Sequence, residues 1–103
     1  MPNLKNLMKE AQKMQAKIAQ IQESLKDKTV EAVSGGGMVK VVCNGQQEIL
    51  ALTIEKELWD EDDMEMVQDL IIAAVNEALR RSREMAEEEL SKATGGLNLP
   101  GMF

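Results

Sequence analysis

A glycine-rich segment followed by two alternating strand patterns constrains the fold of this chain more than any other part of the sequence. Residues 34–54 contain three consecutive glycines, an alternating pattern, the dipeptide Asn44-Gly45 and a second alternating pattern. Asn-Gly is typical of a two-residue hairpin turn, because both central residues of that turn need positive φ. Helical patterns flank the segment on both sides. The sequence therefore predicts a helix–sheet–helix order.

The two-residue turn also predicts the register of the hairpin, in which Val39 lies opposite Leu50. The predicted core face then carries Val39, Val41, Cys43, Leu50, Leu52 and Ile54. The opposite face carries Met38, Lys40, Val42, Ile49, Ala51 and Thr53. A shorter strand around residues 29–33 is predicted to precede the hairpin and to complete a small antiparallel sheet.

The second face of this hairpin is too apolar for plain exposure to solvent on so small a sheet. A sheet of short strands also leaves an unpaired edge. Symmetric self-association would cover both features. We therefore expect a homodimer in which the sheets meet and the helix ends project outward, with interface candidates Met38, Val42, Ile49 and Ala51.

Two long amphipathic helices are predicted around the sheet. In the first, apolar residues recur at steps of three and four, a heptad typical of a coiled-coil-like seam. They are Leu4, Leu7, Ala11, Met14, Ile18, Ile21 and Leu25. The second helix begins after an acidic cluster at residues 60–63, where aspartates cap free amides, and its broad apolar face can cover the first helix.

These patterns predict one α+β domain. Its parts are helix 1 at about residues 3–28, the sheet at about 29–55, helix 2 at about 62–93 and a flexible tail at 95–103, all within a single domain of residues 1–103.

The composition argues against an enzyme. Histidine and tyrosine are absent, which removes the commonest general acid–base group. The segment at residues 34–37 lacks the Gly-Lys-Ser/Thr of a phosphate loop and precedes a strand rather than a helix. The single cysteine, Cys43, cannot form an internal disulfide and fits a reducing cytoplasm. No apolar run approaches the ~20 residues of a membrane span. We expect no cofactor, metal site, small-molecule substrate or membrane partner.

Charge is distributed unevenly along the chain. The net charge of the chain is −6. Residues 1–28 carry six lysines and three acidic residues, a net charge of +3, so residues 29–103 carry a net charge of −9. A basic segment on an acidic body often marks a face for polyanions. The candidate contacts are Lys5, Lys9, Lys13 and Lys17 on helix 1 and Arg80, Arg81 and Arg83 on helix 2. The alternative is that these residues form ordinary solvated helix faces, with nearby glutamates pairing the arginines.

Several short motifs occur in order along the whole chain and together resemble one family. They are Leu4 to Met14, Gly35 to Val41, Asn44-Gly45, Asp60 to Glu65, Asp69 to Ala74 with Asn76, and Gly95 to Phe103. This ordered set resembles the YbaB/EbfC family of small bacterial nucleoid-associated proteins. The resemblance implies an α-β-β-β-α protomer, a tweezer-like homodimer, and a cytoplasmic, nucleoid-associated location. It also implies binding of duplex DNA by the helical arms, at the phosphate backbone, with roles in nucleoid organisation, gene expression or DNA repair.

Two other classes remain open at the level of sequence. One is an adaptor for replication, recombination or repair proteins, in which the arms or the apolar tail from Leu97 to Phe103 dock an enzyme. The other is a coiled-coil holdase, favoured by apolar helices and eight methionines. Binding that falls steeply with salt would separate DNA binding from both. Loss of a partner on deleting residues 97–103 would support the adaptor.

Overall fold

The computed structural model describes residues 3–93 and Gly95. Helix α1 (Leu4–Ser24) is followed by strands β1 (Thr29–Ser34), β2 (Val39–Asn44) and β3 (Ile49–Ile54), a one-turn helix α2 (Lys56–Trp59) and the long helix α3 (Met64–Ala93). The strands form one antiparallel sheet in the order β1-β2-β3. The predicted α-β-β-β-α order is confirmed, and α2 is an addition to it. Apart from Gly95, the predicted tail lies outside the described residues.

Helix α1 has a capped start and an early end. The Asn3 side chain accepts a hydrogen bond from the Lys5 backbone N–H at 3.0 Å and so caps the first turn. The helix ends at Ser24 and tightens into a 3₁₀ turn at Leu25–Asp27, before the end predicted from the apolar periodicity. The reason is that the Leu25 carbonyl accepts a hydrogen bond from the Gly45 N–H, at 2.9 Å.

The core lies between α3 and the first two strands. The side chains of Val39, Val41 and Cys43 are fully buried against the helix. Ala74 and Ala78 are also fully buried, because small side chains let the helix axis approach the sheet closely. Since α3 packs on β1 and β2, the neighbouring strand β3 lies beyond its cover.

The predicted hairpin register is wrong. Val39 pairs with Ile54 rather than with Leu50, and a bulge interrupts the ladder between Val42 and Cys43. The turn is longer than two residues because the Asn44 side-chain oxygen accepts hydrogen bonds from two later backbone N–H groups, at 2.9 and 3.0 Å. Gln47 takes the positive φ, 63°, whereas Asn44 and Gly45 do not.

This register changes which side chains share a face of the sheet. Ile49 pairs with Cys43 and therefore lies on the helix side, not with Val42 and Ala51 on the outer side. Met38 lies outside the strands, at the end of the glycine turn, and packs partly buried against the core. The predicted core face is confirmed for Val39, Val41, Cys43 and the partly buried Ile54. It is wrong for Leu50 and Leu52, which are 55% and 47% exposed because α3 does not reach β3.

Gly45 is needed for close packing rather than for an unusual backbone angle. Its N–H donates to the Leu25 and Lys28 carbonyls, both at 2.9 Å. A Cβ at this position would lie 2.8 Å from the Leu25 side chain and from the Leu25 carbonyl oxygen. The loop between β2 and β3 is therefore pressed directly against the end of α1.

The two long helices form an arm that leaves the sheet. Helix α3 is about 45 Å long at the standard rise, whereas the molecule measures 71 × 21 × 16 Å. Helix α1 therefore extends beyond the rest of the molecule, antiparallel to the last turns of α3. Only the half of α1 near the sheet is partly covered, at Met14, Ile18 and Ile21, and no residue of α1 is buried.

We predict that Gly45→Ala lowers the free energy of unfolding by about 2 kcal/mol, because the new methyl group overlaps Leu25 and cannot be accommodated without moving backbone. Urea denaturation measures the difference. Gly36→Ala is the control: φ is +66°, but nothing lies within 4 Å of its added Cβ. Only the left-handed backbone penalty, about 1 kcal/mol, applies there. Equal losses in the two variants would contradict the close-packing role of Gly45.

Candidate nucleic-acid interface

Four lysines form a row along the exposed side of α1. Helical periodicity places Lys5, Lys9 and Lys13 on the side away from the apolar stripe, and a drift of about 40° from one lysine to the next brings Lys17 to the flank of the stripe. All four residues are exposed. Within the described chain their ammonium groups form no ion pair with any carboxylate. The row is therefore a strip of uncompensated positive charge.

The three arginines of α3 have separate roles. Arg80 is clamped by glutamates one turn away on either side, with 2.9 Å from its Nη2 to Glu77 Oε2 and a further ion pair with Glu84. Hydrogen bonding and charge from Glu77, with the charge of Glu84, raise the pKa of Arg80. Arg81 donates at 2.7 Å to the carbonyl of Glu31 in the edge strand β1. Both guanidinium groups are thus already occupied by the protein.

Arg83 differs from its two neighbours. It forms no ion pair or hydrogen bond within the described residues, and it lines an open cleft of about 540 Å³ where the arm meets the sheet. The remaining lining residues are Gln22, Leu25, Gly45, Gln46, Gln47, Ala86 and Glu87. The sequence cluster Arg80–Arg83 therefore supplies one free cation near the base of α1.

Several contacts hold the base of the arm. The buried Ser82 hydroxyl donates at 2.7 Å to the Asn44 carbonyl, and the Gln46 amide donates at 2.9 Å to the Gln22 carbonyl. Lys28 pairs with Glu89 at 3.0 Å, and this hydrogen bond and charge lower the pKa of the Glu89 carboxyl. These contacts connect α1, the β2–β3 loop and α3 at one place.

One acidic cluster lies at the end of the molecule away from α1. Glu57, Glu65 and the cluster at residues 60–63 surround α2 and the start of α3. The Asp63 carboxylate accepts a hydrogen bond from the Met66 N–H at 3.1 Å, as predicted for a capping residue. Within residues 3–93 and Gly95, no acidic, cysteine or histidine cluster is arranged to hold a metal ion, and no helix is apolar and long enough to cross a membrane.

A second surface, the β3 shelf, is apolar and uncovered. The Leu70 carbonyl and the Arg81 side chain both bond to β1, and helical periodicity places Ile72 on the side of α3 away from that strand. Ile72 is 56% exposed there, beside partly buried Val75 and Leu79. We define the β3 shelf as Ile49, Leu50, Leu52 and Ile72. Of the predicted interface residues, Ile49 lies on this shelf, whereas Val42 and Ala51 lie on the other face of the sheet.

The structure is thus a small α-β-β-β-α domain with one projecting helix that is lined by lysines. The sequence profile of the YbaB/EbfC DNA-binding family matches residues 1–97. The chain belongs to the YbaB/EbfC DNA-binding family, which confirms the resemblance seen in its motifs.

Relatives of known sequence or structure agree with this assignment. A nucleoid-associated protein of Acetivibrio thermocellus is 57% identical over 102 residues, which cover 98% of this chain and 90% of the relative. Another, from Thermoanaerobacter pseudethanolicus, is 52% identical over 101 residues, covering 98% and 91%. The crystal structure of an uncharacterized protein from Helicobacter pylori matches with a TM-score of 0.81 at 27% identity, over 92% of this chain and 100% of that chain.

The Lys28–Glu89 ion pair predicts an acid-dependent stability of the arm. Because the folded-state pKa of Glu89 is lowered, its contribution is present above the pKa of the unfolded chain and is lost as pH falls through the folded-state value. Glu89→Gln should therefore be less stable than wild type at neutral pH, and the difference should vanish in acid. Thermal unfolding across pH measures this. Glu87→Gln, which removes no ion pair of the described chain, is the control, and an equal pH dependence there would contradict the role of Glu89.

Proposed function

We propose that this protein is a nucleoid-associated protein that binds duplex DNA through the phosphate backbone, as a homodimer and with little sequence specificity. The observation that carries the proposal is the row of unpaired lysines on the exposed side of α1. Family membership supports DNA as the ligand, and relatives named nucleoid-associated proteins support a cytoplasmic site at the nucleoid.

The spacing of the lysine row suits contacts along a phosphate backbone. Successive lysines four residues apart rise about 6 Å along the helix, so the row spans about 18 Å, roughly half a turn of B-DNA. Lysine is a flexible point charge, and phosphate contacts carry no direct sequence information. The proposed mode therefore positions the protein on the duplex without reading bases.

The separation of charge explains how a protein of net charge −6 can bind a polyanion. The acidic cluster lies beyond the sheet, at the opposite end of a molecule 71 Å long. At physiological salt the Debye length is about 8 Å, so charges at that distance are screened from DNA held at α1. The local positive charge of α1, rather than the net charge, governs the interaction.

Arg83 would add a contact at the base of the arm, because its guanidinium is free and faces the open cleft. Arg80 and Arg81 remain part of the proposed site, but each would first have to leave a protein partner. We therefore rank the lysine row and Arg83 above them as phosphate contacts.

The homodimer part of the proposal rests on the β3 shelf. Its large apolar side chains, on the edge strand β3 and on α3, are about half exposed. Burying them against the same surface of a second copy would give a self-complementary two-fold interface. Such a dimer would carry two arms, one from each protomer. Of the four interface residues predicted from sequence, this choice retains Ile49 as a central contact.

We predict that changing Lys5, Lys9, Lys13 and Lys17 together to glutamine weakens duplex binding and flattens its salt dependence. The slope of log K against log salt should become shallower by about 0.9 for each lysine that contacts a phosphate. Gel shifts or fluorescence anisotropy across salt concentrations measure both quantities. The matched variant with arginine at the four positions should keep the wild-type slope.

An unchanged slope in the glutamine variant would remove α1 from the site. If the wild-type protein binds duplex DNA without salt dependence, or does not bind it, the adaptor and holdase hypotheses would replace the proposal of DNA binding.

We predict that Leu52→Lys removes the shelf contact, so that the dilute protein sediments as a monomer, because the substitution places a charge at the centre of the shelf without disturbing a buried side chain. Sedimentation velocity measures the mass. Ala51→Lys is the matched control, since it lies next in the strand but points to the other face of the sheet. Loss of the dimer in Ala51→Lys alone would instead place the interface on the outer face, where Val42 and Ala51 lie.

A further inference from the structure

The apolar stripe of α1 is longer than the surface that α3 covers. Leu4 and Leu7 are 71% and 51% exposed, whereas Ile18 and Ile21 nearer the sheet are partly buried. The stripe keeps a strict heptad spacing, which is the pattern of a helix packed against another helix along its whole length. Half of the seam therefore has no partner within the described chain.

We propose that α1 pairs with α1 of a second copy of this chain as an antiparallel coiled coil. In heptad terms Leu4, Ala11 and Ile18 occupy a positions, and Leu7, Met14 and Ile21 occupy d positions. An antiparallel pair places a residues opposite d residues. The layers then match Leu4 with Ile21 of the second copy, Leu7 with Ile18, and Ala11 with Met14, each layer occurring twice.

The charges beside the stripe select this orientation. Glu10 and Lys17 occupy successive g positions, and antiparallel helices bring g residues together. Glu10 of each copy would lie beside Lys17 of the other, which gives two reciprocal ion pairs. A parallel pair would instead set both residues against glutamines, at Gln15 and Gln22. Neither Glu10 nor Lys17 has an ion-pair partner in the described chain.

The pairing also complements the uneven burial of α1. The bare half of one helix lies against the half of the other that α3 already flanks, so each α3 contributes a third helix to the contact. Lys5, Lys9 and Lys13 stay on the outer side, away from the seam. If the proposed DNA binding holds, such arm contacts would link two dimers and hence two duplex segments.

A charge exchange without DNA tests the pairing separately from the proposed function. Sedimentation equilibrium in the Leu52→Lys background, over about a hundredfold range of concentration, should show association through the arms. Glu10→Lys and Lys17→Glu each create two like-charge contacts and should weaken association at least about tenfold. Combining both substitutions in one chain, or mixing the two single variants, should restore it.

The control is Glu23→Lys, which makes the same change of charge on α1 away from the seam and should leave association unchanged. Circular dichroism of each variant checks that the helices remain formed. A mass that does not rise with concentration, or a double variant and mixture no better than the single variants, would overturn the proposal. Another segment or partner would then cover the stripe.

Discussion

The contact between Leu25 and Gly45 is the constraint on which the arrangement of this molecule depends. It brings the end of α1 against the β2–β3 loop, and the Ser82 hydroxyl fixes α3 to the same loop through the Asn44 carbonyl. Two long helices that are far apart in sequence are thereby held at one loop. Cys43, whose pKa is raised mainly by burial, lies beside the β2–β3 loop and packs as an apolar group. These contacts thus define both the direction of the arm and the shape of the cleft.

The order of elements was predictable because periodicity and turn chemistry are local properties. The apolar heptad predicted α1, and the acidic cluster predicted the capped start of α3 at Asp63. The hairpin register was not predictable from Asn44-Gly45, because the Asn44 side chain formed a longer turn and the glycine served Leu25 instead. That requirement comes from a residue twenty positions earlier in the chain, and no local pattern records it.

The candidate site was predictable as a set of cations but not as a surface. The four lysines were recognisable from their spacing alone, whereas the adjacent arginines were indistinguishable in sequence. Only the fold separates them, since Arg81 reaches a strand fifty residues away and Arg83 faces the cleft. Exposure of Leu52 likewise follows from the position of α3 over β1 and β2, which depends on tertiary packing. The sequence shows which side chains are charged or apolar, but tertiary packing determines which of them remain exposed to a partner.

Because α1 is held at its base by the contact with Gly45, a small rotation there moves its far end by a larger distance. A helix about 30 Å long that rotates by about 10° at its base moves its far end by about 5 Å, close to one helical turn. Small changes in the β2–β3 loop, which contains none of the four lysines, would therefore shift the whole lysine row relative to the sheet. In a molecule with two such arms, the loop would set the gap between them.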